Sequence, residues 1–230
     1  MSEFFSSSLF FGVGITLVCY EAGLLLRRRF KLAILNPLLL AGLCVMAVIR
    51  LLGVSYTDYS RGTQYLSYLL TPATVALAIP LYEQLQLLRR NLLPILGGIL
   101  AGTLAGLTGI FFMSRCFGLS HQLYVSFLPK SITTAIGIGL SQELGGITAL
   151  TVTAIVLTGI LGNVVGEALF HLFRIRDPIA RGLALGTASH AIGTAKALEL
   201  GEVEGAMSSL SIAVAGIITV IAAPFFAGLL

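Results

Sequence analysis

Two stretches of this chain carry ionisable and hydroxyl groups inside sequence apolar enough to enter a membrane. In the first, Pro129 is followed by Lys130, Ser131, Thr133 and Thr134, and Glu143 precedes Gly145 and Gly146. In the second, Ser189, His190, Gly193, Thr194 and Lys196 lead to Glu199. An ionisable group at membrane depth costs at least about 2.5 kcal/mol, so such a group marks a site or a pathway. The residue types suit the capture of a small anion. Lysine supplies full charge, serine and threonine supply donors, and a helix N-terminus adds free N–H groups and a partial positive charge. Pro129 suits the first position of a helix, because its missing N–H costs nothing there. Gly193 would let a ligand approach the backbone closely. His190 titrates in the range that proton coupling requires, with Glu143 and Glu199 as further coupling candidates.

Structural readings stand beside these. Lys130 could snorkel to an interface, and Lys196 could pair with Glu199 at i, i+3. Glu143, Glu199, Glu202 and Glu204 could mark hairpin ends in water. Asn163, midway along an apolar run, either lines a cavity or joins helices. Pro72 and Pro80 remove backbone donors around Thr74, so the freed carbonyls there need partners, and a cavity is one solution. Pro72 and Thr74 therefore join the candidate binding residues.

No enzyme is expected. Ser189 and His190 are sequence neighbours, which point apart on a helix and make a poor nucleophile–base pair. His121, His171 and His190 have no partner at i+4, so no metal is expected, and no cofactor. Gly137 and Gly139 lack the strand–turn–helix setting of a nucleotide fingerprint. Cys19, Cys44 and Cys116 are odd in number and scattered, and read as packing residues.

The elements that must position these groups are membrane helices. Of the 230 residues, 57% are hydrophobic and 10% charged, with mean hydropathy +0.97. Soluble domains carry about 25% charged residues, so lipid must solvate this surface. The 26 glycines suit close helix packing, and with no tryptophan the seven tyrosines are the interfacial anchors. The net charge of +4 is topological information, without a nucleic-acid footprint. Apolar windows fall at about 5–26, 32–53, 64–87, 91–114, 147–170 and 206–229. The first lacks a basic n-region and reads as a retained span.

The basic clusters Arg27–Arg29 with Lys31, Arg89–Arg90, and Arg174 with Arg176 and Arg181 should all face the cytoplasm. That holds only if residues 121–145 enter and leave on one side, as a re-entrant hairpin from outside. By analogy 180–204 is a hairpin from the cytoplasm. The expected fold is one all-α integral membrane domain over 1–230. It has about six full spans and two opposed re-entrant or broken hairpins, a transporter-like inverted-repeat core. Eight full spans with one misplaced basic loop is the alternative.

Thr71 to Tyr82, Pro129 to Thr134 and Glu204 to Ser209 together resemble the LrgB/CidB/YohK family. The C-terminal half of the plant plastidial glycolate/glycerate translocators is similar. The resemblance implies two functions: a carrier of small monocarboxylates (pyruvate, glycolate or glycerate), or an antiholin-like protein acting on murein hydrolase export and lysis. It also implies a multi-pass protein of the bacterial inner membrane and a small LrgA/CidA-type membrane partner. A homodimer is a further expectation for so small a carrier.

Overall fold

The computed structural model describes residues 10–30 and 35–230, the side chains of Leu70 and Thr74 excepted. Every regular element among them is helical. The chain divides after Ala76 into two compact units.

The first unit contains α1 (Phe11–Phe30), α2 (Pro37–Leu52), α3 (Tyr56–Tyr68) and α4 (Leu70–Ala76). Local chemistry sets the ends. The Asn36 side chain accepts from the amides of Leu38 and Leu39, Pro37 opens α2, and Gly53 closes it at φ +65°. Ser55 caps α3 by accepting from the Asp58 amide. Cys19, Ala41 and Val45 form a small core between α1 and α2. The thiols of Cys19 and Cys44 lie 3.0 Å apart in it.

The second unit contains α5 (Ala78–Glu83), α6 (Leu85–Arg90), α7 (Leu92–Cys116), α8 (His121–Phe127), α9 (Thr134–Glu143), α10 (Thr148–Leu172), α11 (Pro178–Leu200) and α12 (Glu202–Ala227). Among the described residues four stretches are long and apolar enough to cross a membrane: Tyr56–Glu83, Leu92–Cys116, Thr148–Leu172 and Glu202–Ala227. They fall on four of the six windows read from hydropathy. The third window shifts from 64–87 to a start at Tyr56, because the Ser55 cap initiates helix ahead of the apolar run. Of the first two windows, 5–9 and 32–34 lie outside the described residues, and α2 is a shorter apolar helix. Proline punctuates the middle of the chain. Breaks at Leu69, Leu77 and Asn91 fall three residues before Pro72, Pro80 and Pro94, where a proline ring and missing donor disrupt the ladder.

Both segments singled out for their polar residues turn back on themselves. After α8, turns closed by Lys130 N–H to Phe127 O and Ile132 N–H to Pro129 O reverse the chain. Its end returns to its beginning: the Ile147 amide donates to Ser126 Oγ at 2.7 Å, and Thr151 Oγ1 donates to the Ser126 carbonyl at 2.9 Å. Gly145, at φ +77°, ends α9. In α11 the break is at Ser189 (φ −133°, ψ 15°) and His190 (φ 42°, ψ −138°). Beyond it the chain runs back, so that Gly193 packs on the Leu185 carbonyl and Ala197 clusters with Leu185 and Phe170.

The two hairpins approach α12 from opposite ends. Tyr124 Oη–H donates to the Phe226 carbonyl at 2.8 Å. Gly182 and Gly186 press the first arm of α11 against Glu204–Met207 and Ser208–Ser211. The tips converge on one residue of α10, the fully buried Ile155. Its side chain fills the space over Gly137 of α9, and its carbonyl meets His190.

Candidate functional site

The polar residues around the tips separate into a packed network and a cavity wall. The network surrounds the break in α11. His190, 4% exposed, places Nε2 3.0 Å from the Ile155 carbonyl. A carbonyl only accepts, so Nε2 carries the hydrogen and the tautomer is set. Thr194 Oγ1 lies 3.0 Å from the His190 carbonyl and 2.8 Å from Ser208 Oγ. Asn163 Nδ2 donates to the Ile192 carbonyl at 3.1 Å. Gly159 and Gly162 of α10 leave the room that the His190 ring and Ser189 occupy. The positive φ of His190 costs on the order of 1–3 kcal/mol, a strain that only a tightly determined surrounding sustains.

The cavity lies on the other side of the first tip and has a volume of about 620 Å³. Its floor is the glycine face of α7 at Gly98, Gly102 and Gly106, its roof the first arm of α11 up to Ala188, and its end wall Leu128, Lys130 and Ser131. Lys130 is half-buried, and its ammonium donates to Ser131 Oγ at 3.2 Å. Among the described residues no carboxylate lies within ion-pair distance of it. An apolar pocket with a few convergent polar groups is the usual form of a small-molecule site.

Of the residues expected to form one site, Lys130 and Ser131 share the cavity, while Ser189, His190, Thr194 and Asn163 share the network. Thr133 is the N-cap residue of α9 without a side-chain cap bond, and Thr134 is its first residue. The helix therefore starts at Thr134 and not at Pro129, since the turns at Lys130 and Ile132 intervene. Gly193 admits its own hairpin's Leu185 carbonyl, and that contact fills the space expected for a ligand. Lys196 pairs with Glu167 at 2.9 Å and Glu199 at 3.5 Å on the return arm. Glu143 and Glu199 are exposed. Pro72 is exposed in the first unit, and the side chain of Thr74 lies outside the described residues.

Sequence reasoning missed Thr103 and Thr187, which line the cavity and are both 7% exposed. The signal was available: each directly follows a glycine, Gly102 or Gly186, in an apolar helix.

A family model described as the LrgB-like family matches residues 16–229. The chain belongs to that family. It is 36% identical over 218 residues to the antiholin-like protein LrgB of Bacillus cereus (strain B4264), covering 94% of this chain and 95% of the relative. The LrgB of Bacillus anthracis (strain A0248) is similar to the same extent. No solved structure matches the chain. Family membership and the apolar helices together make this a multi-pass membrane protein.

Proposed function

We propose that this chain is an antiholin-like protein of the bacterial cytoplasmic membrane, restraining lysis by controlling murein hydrolase release. The observation that carries this reading is similarity across almost the whole chain to proteins named antiholin-like LrgB. A small LrgA/CidA-type membrane protein is the expected partner, and a homodimer the expected assembly. The test is a bacterial strain lacking the gene. It should release more murein hydrolase and lyse earlier than its parent, and complementation should reverse both. Unchanged hydrolase release and lysis would sink the reading.

A second reading is favoured by a specific observation: two hairpins from opposite ends of α12 converge on Ile155, beside a cavity headed by Lys130. In this reading the chain carries a small monocarboxylate of the pyruvate, glycolate or glycerate class by alternating access. Six full spans would surround two re-entrant hairpins in an inverted repeat, with His190 as the proton-coupling group. Purified protein in liposomes should then take up labelled pyruvate, glycolate or glycerate saturably. Leakage of unrelated dyes without saturable uptake would exclude the carrier and favour a pore.

A further inference from the structure

Two of the three cysteines meet in the core of the first unit. Cys19 lies midway along α1 and Cys44 midway along α2, and their Sγ atoms are 3.0 Å apart. Packing on either side holds the contact. Beyond Cys19 in α1, a Cβ on Gly23 would come within 2.9 Å of the Pro37 carbonyl, so α1 and the start of α2 meet backbone to backbone. Ahead of Cys19, a Cβ on Gly12 would come within 2.7 Å of the Tyr59 carbonyl, and Thr16 Oγ1 lies 2.8 Å from Tyr59 Oη. One flank of Cys19 is therefore pinned by α2 and the other by α3. The small side chains of Ala41 and Val45 complete the core around the thiols. Cys19 is 2% exposed, and Cys44 is partly exposed. Among the described residues no three histidine, cysteine, aspartate or glutamate side chains are grouped to hold a metal, so the pair is not part of a metal site. The sulfurs of a disulfide lie about 2.05 Å apart, so about 1 Å of approach would join these two, a distance that small rotations about Cα–Cβ supply.

We propose that Cys19 and Cys44 are a redox pair, which hydrogen peroxide converts to a disulfide that staples α1 to α2. Cys44, the more exposed thiol, reacts first. Its sulfur takes one peroxide oxygen, the O–O bond breaks and water leaves, so that Cys44 becomes a sulfenic acid. The Cys19 sulfur then attacks the Cys44 sulfur. The S–S bond forms, the S–O bond breaks and a second water leaves. The sulfurs lose two electrons, the peroxide gains them, and both thiol hydrogens end in water. Peroxide is small and uncharged, so it reaches a thiol on a helix surrounded by lipid. Cys19 already touches Cys44 and therefore intercepts the sulfenic acid ahead of further oxidation. A reducing dithiol reverses the bridge by thiol–disulfide exchange. The bond fixes two helices at mid-length that the reduced protein holds there by packing alone. It goes beyond both functional readings and depends on neither.

The full-length Cys116→Ser protein, which carries the pair alone, is the sample. After hydrogen peroxide in detergent and alkylation with N-ethylmaleimide under denaturing conditions, both thiols should be lost together. The intact mass should fall by two hydrogens, no maleimide should be added, and digestion should yield a peptide joining Cys19 to Cys44. Dithiothreitol should restore two alkylatable thiols. The bridged protein should unfold several degrees above the reduced one, because the cross-link constrains the unfolded chain. Intact cells exposed to peroxide and quenched in acid should contain the same bridge. Thiols that stay alkylatable would overturn the proposal, as would Cys44 carried on to the sulfinic acid without a bridge, or bridges between molecules only. A bridge that fails to raise the unfolding temperature would show that the folded geometry resists the bond, and would overturn it too. Bridging of the purified protein but not in cells would overturn the pair as a switch in the membrane.

Discussion

Gly159→Ala tests whether the break in α11 is held by close packing against α10. A Cβ at this position would lie 2.8 Å from His190 Cε1, 2.9 Å from Nε2 and 2.8 Å from Ile192 Cδ1. The isoleucine contact is the end of a flexible side chain and can swing away. The imidazole cannot, because it is buried and tied to the Ile155 carbonyl at 3.0 Å. Overpacking of this kind costs about 1–3 kcal/mol, and displacing the ring forfeits a hydrogen bond of about 1 kcal/mol. Alanine returns about 1 kcal/mol through helix propensity. The net is a destabilisation of roughly 1–3 kcal/mol. For a chain of this size each kcal/mol lowers the unfolding temperature by about 2–4 °C, so the expected fall is several degrees. Thermal unfolding in detergent measures it. The decisive control is His190→Ala, which removes the obstructing ring. In that background Gly159→Ala should become neutral or stabilising, giving a coupling of about 2 kcal/mol between the two sites. Additive costs, or a Gly159→Ala protein as stable as its parent, would refute the packing argument.

Ser126→Ala should loosen the first hairpin by about 1 kcal/mol, because the Ile147 amide then loses its acceptor in a partly buried setting; hydrogen exchange at Ile147 rising with no change at Gly205 is the check. Glu167→Gln alone should change stability by less than about 1 kcal/mol, since Glu167 is half exposed and Glu199 still reaches Lys196. The double change Glu167→Gln/Glu199→Gln should cost more than the sum of the two, and additivity in chemical denaturation would refute that. A single cysteine at Gly145, in a background without Cys19, Cys44 and Cys116, should react with an impermeant thiol reagent applied outside intact cells; reaction only from the cytoplasmic side would refute the hairpin.

How legible this was depends on the scale of each interaction. The break near Lys130 was visible because a proline and a charge interrupt an apolar run, and both act within a turn of the chain. Counting basic clusters raised a re-entrant hairpin at 121–145 as an expectation; the chain turns back there, and its entry side is what labelling at Gly145 tests. The position of the turn in α11 was not legible. Ser189 and His190 have no turn-forming signature, and His190 adopts φ 42° only because Gly159 and Gly162, nearly thirty residues earlier, leave the room. Thr103 and Thr187 were passed over for a related reason. Threonine in an apolar helix normally bonds its own backbone, and only the tertiary structure shows that these two do not. The start of α3 was misplaced because Asp58 and Arg61 lower hydropathy, whereas capping by Ser55 is what starts the helix.

The distinction between the network and the cavity bears on which residue can report a ligand. A helix broken inside lipid leaves backbone groups that nothing but protein can satisfy. At the break in α11, Asn163 serves the Ile192 carbonyl and Thr194 the His190 carbonyl, while His190 itself is spent on Ile155. Each of these polar residues is accounted for by the break. Lys130 is different, because its charge has a hydroxyl beside it and, among the described residues, no carboxylate within ion-pair distance. A half-buried cation in that condition carries a cost that an anion would relieve. Lost uptake in His190→Ala would therefore follow from a disordered hairpin alone, and proves nothing about binding unless folding is measured beside it. Lys130→Met removes charge while keeping most of the side chain's bulk in the cavity wall. If that variant keeps its unfolding temperature and loses ligand, the lysine is there for the anion. If it loses neither, the anion reading of the cavity falls while the packed network stays as described.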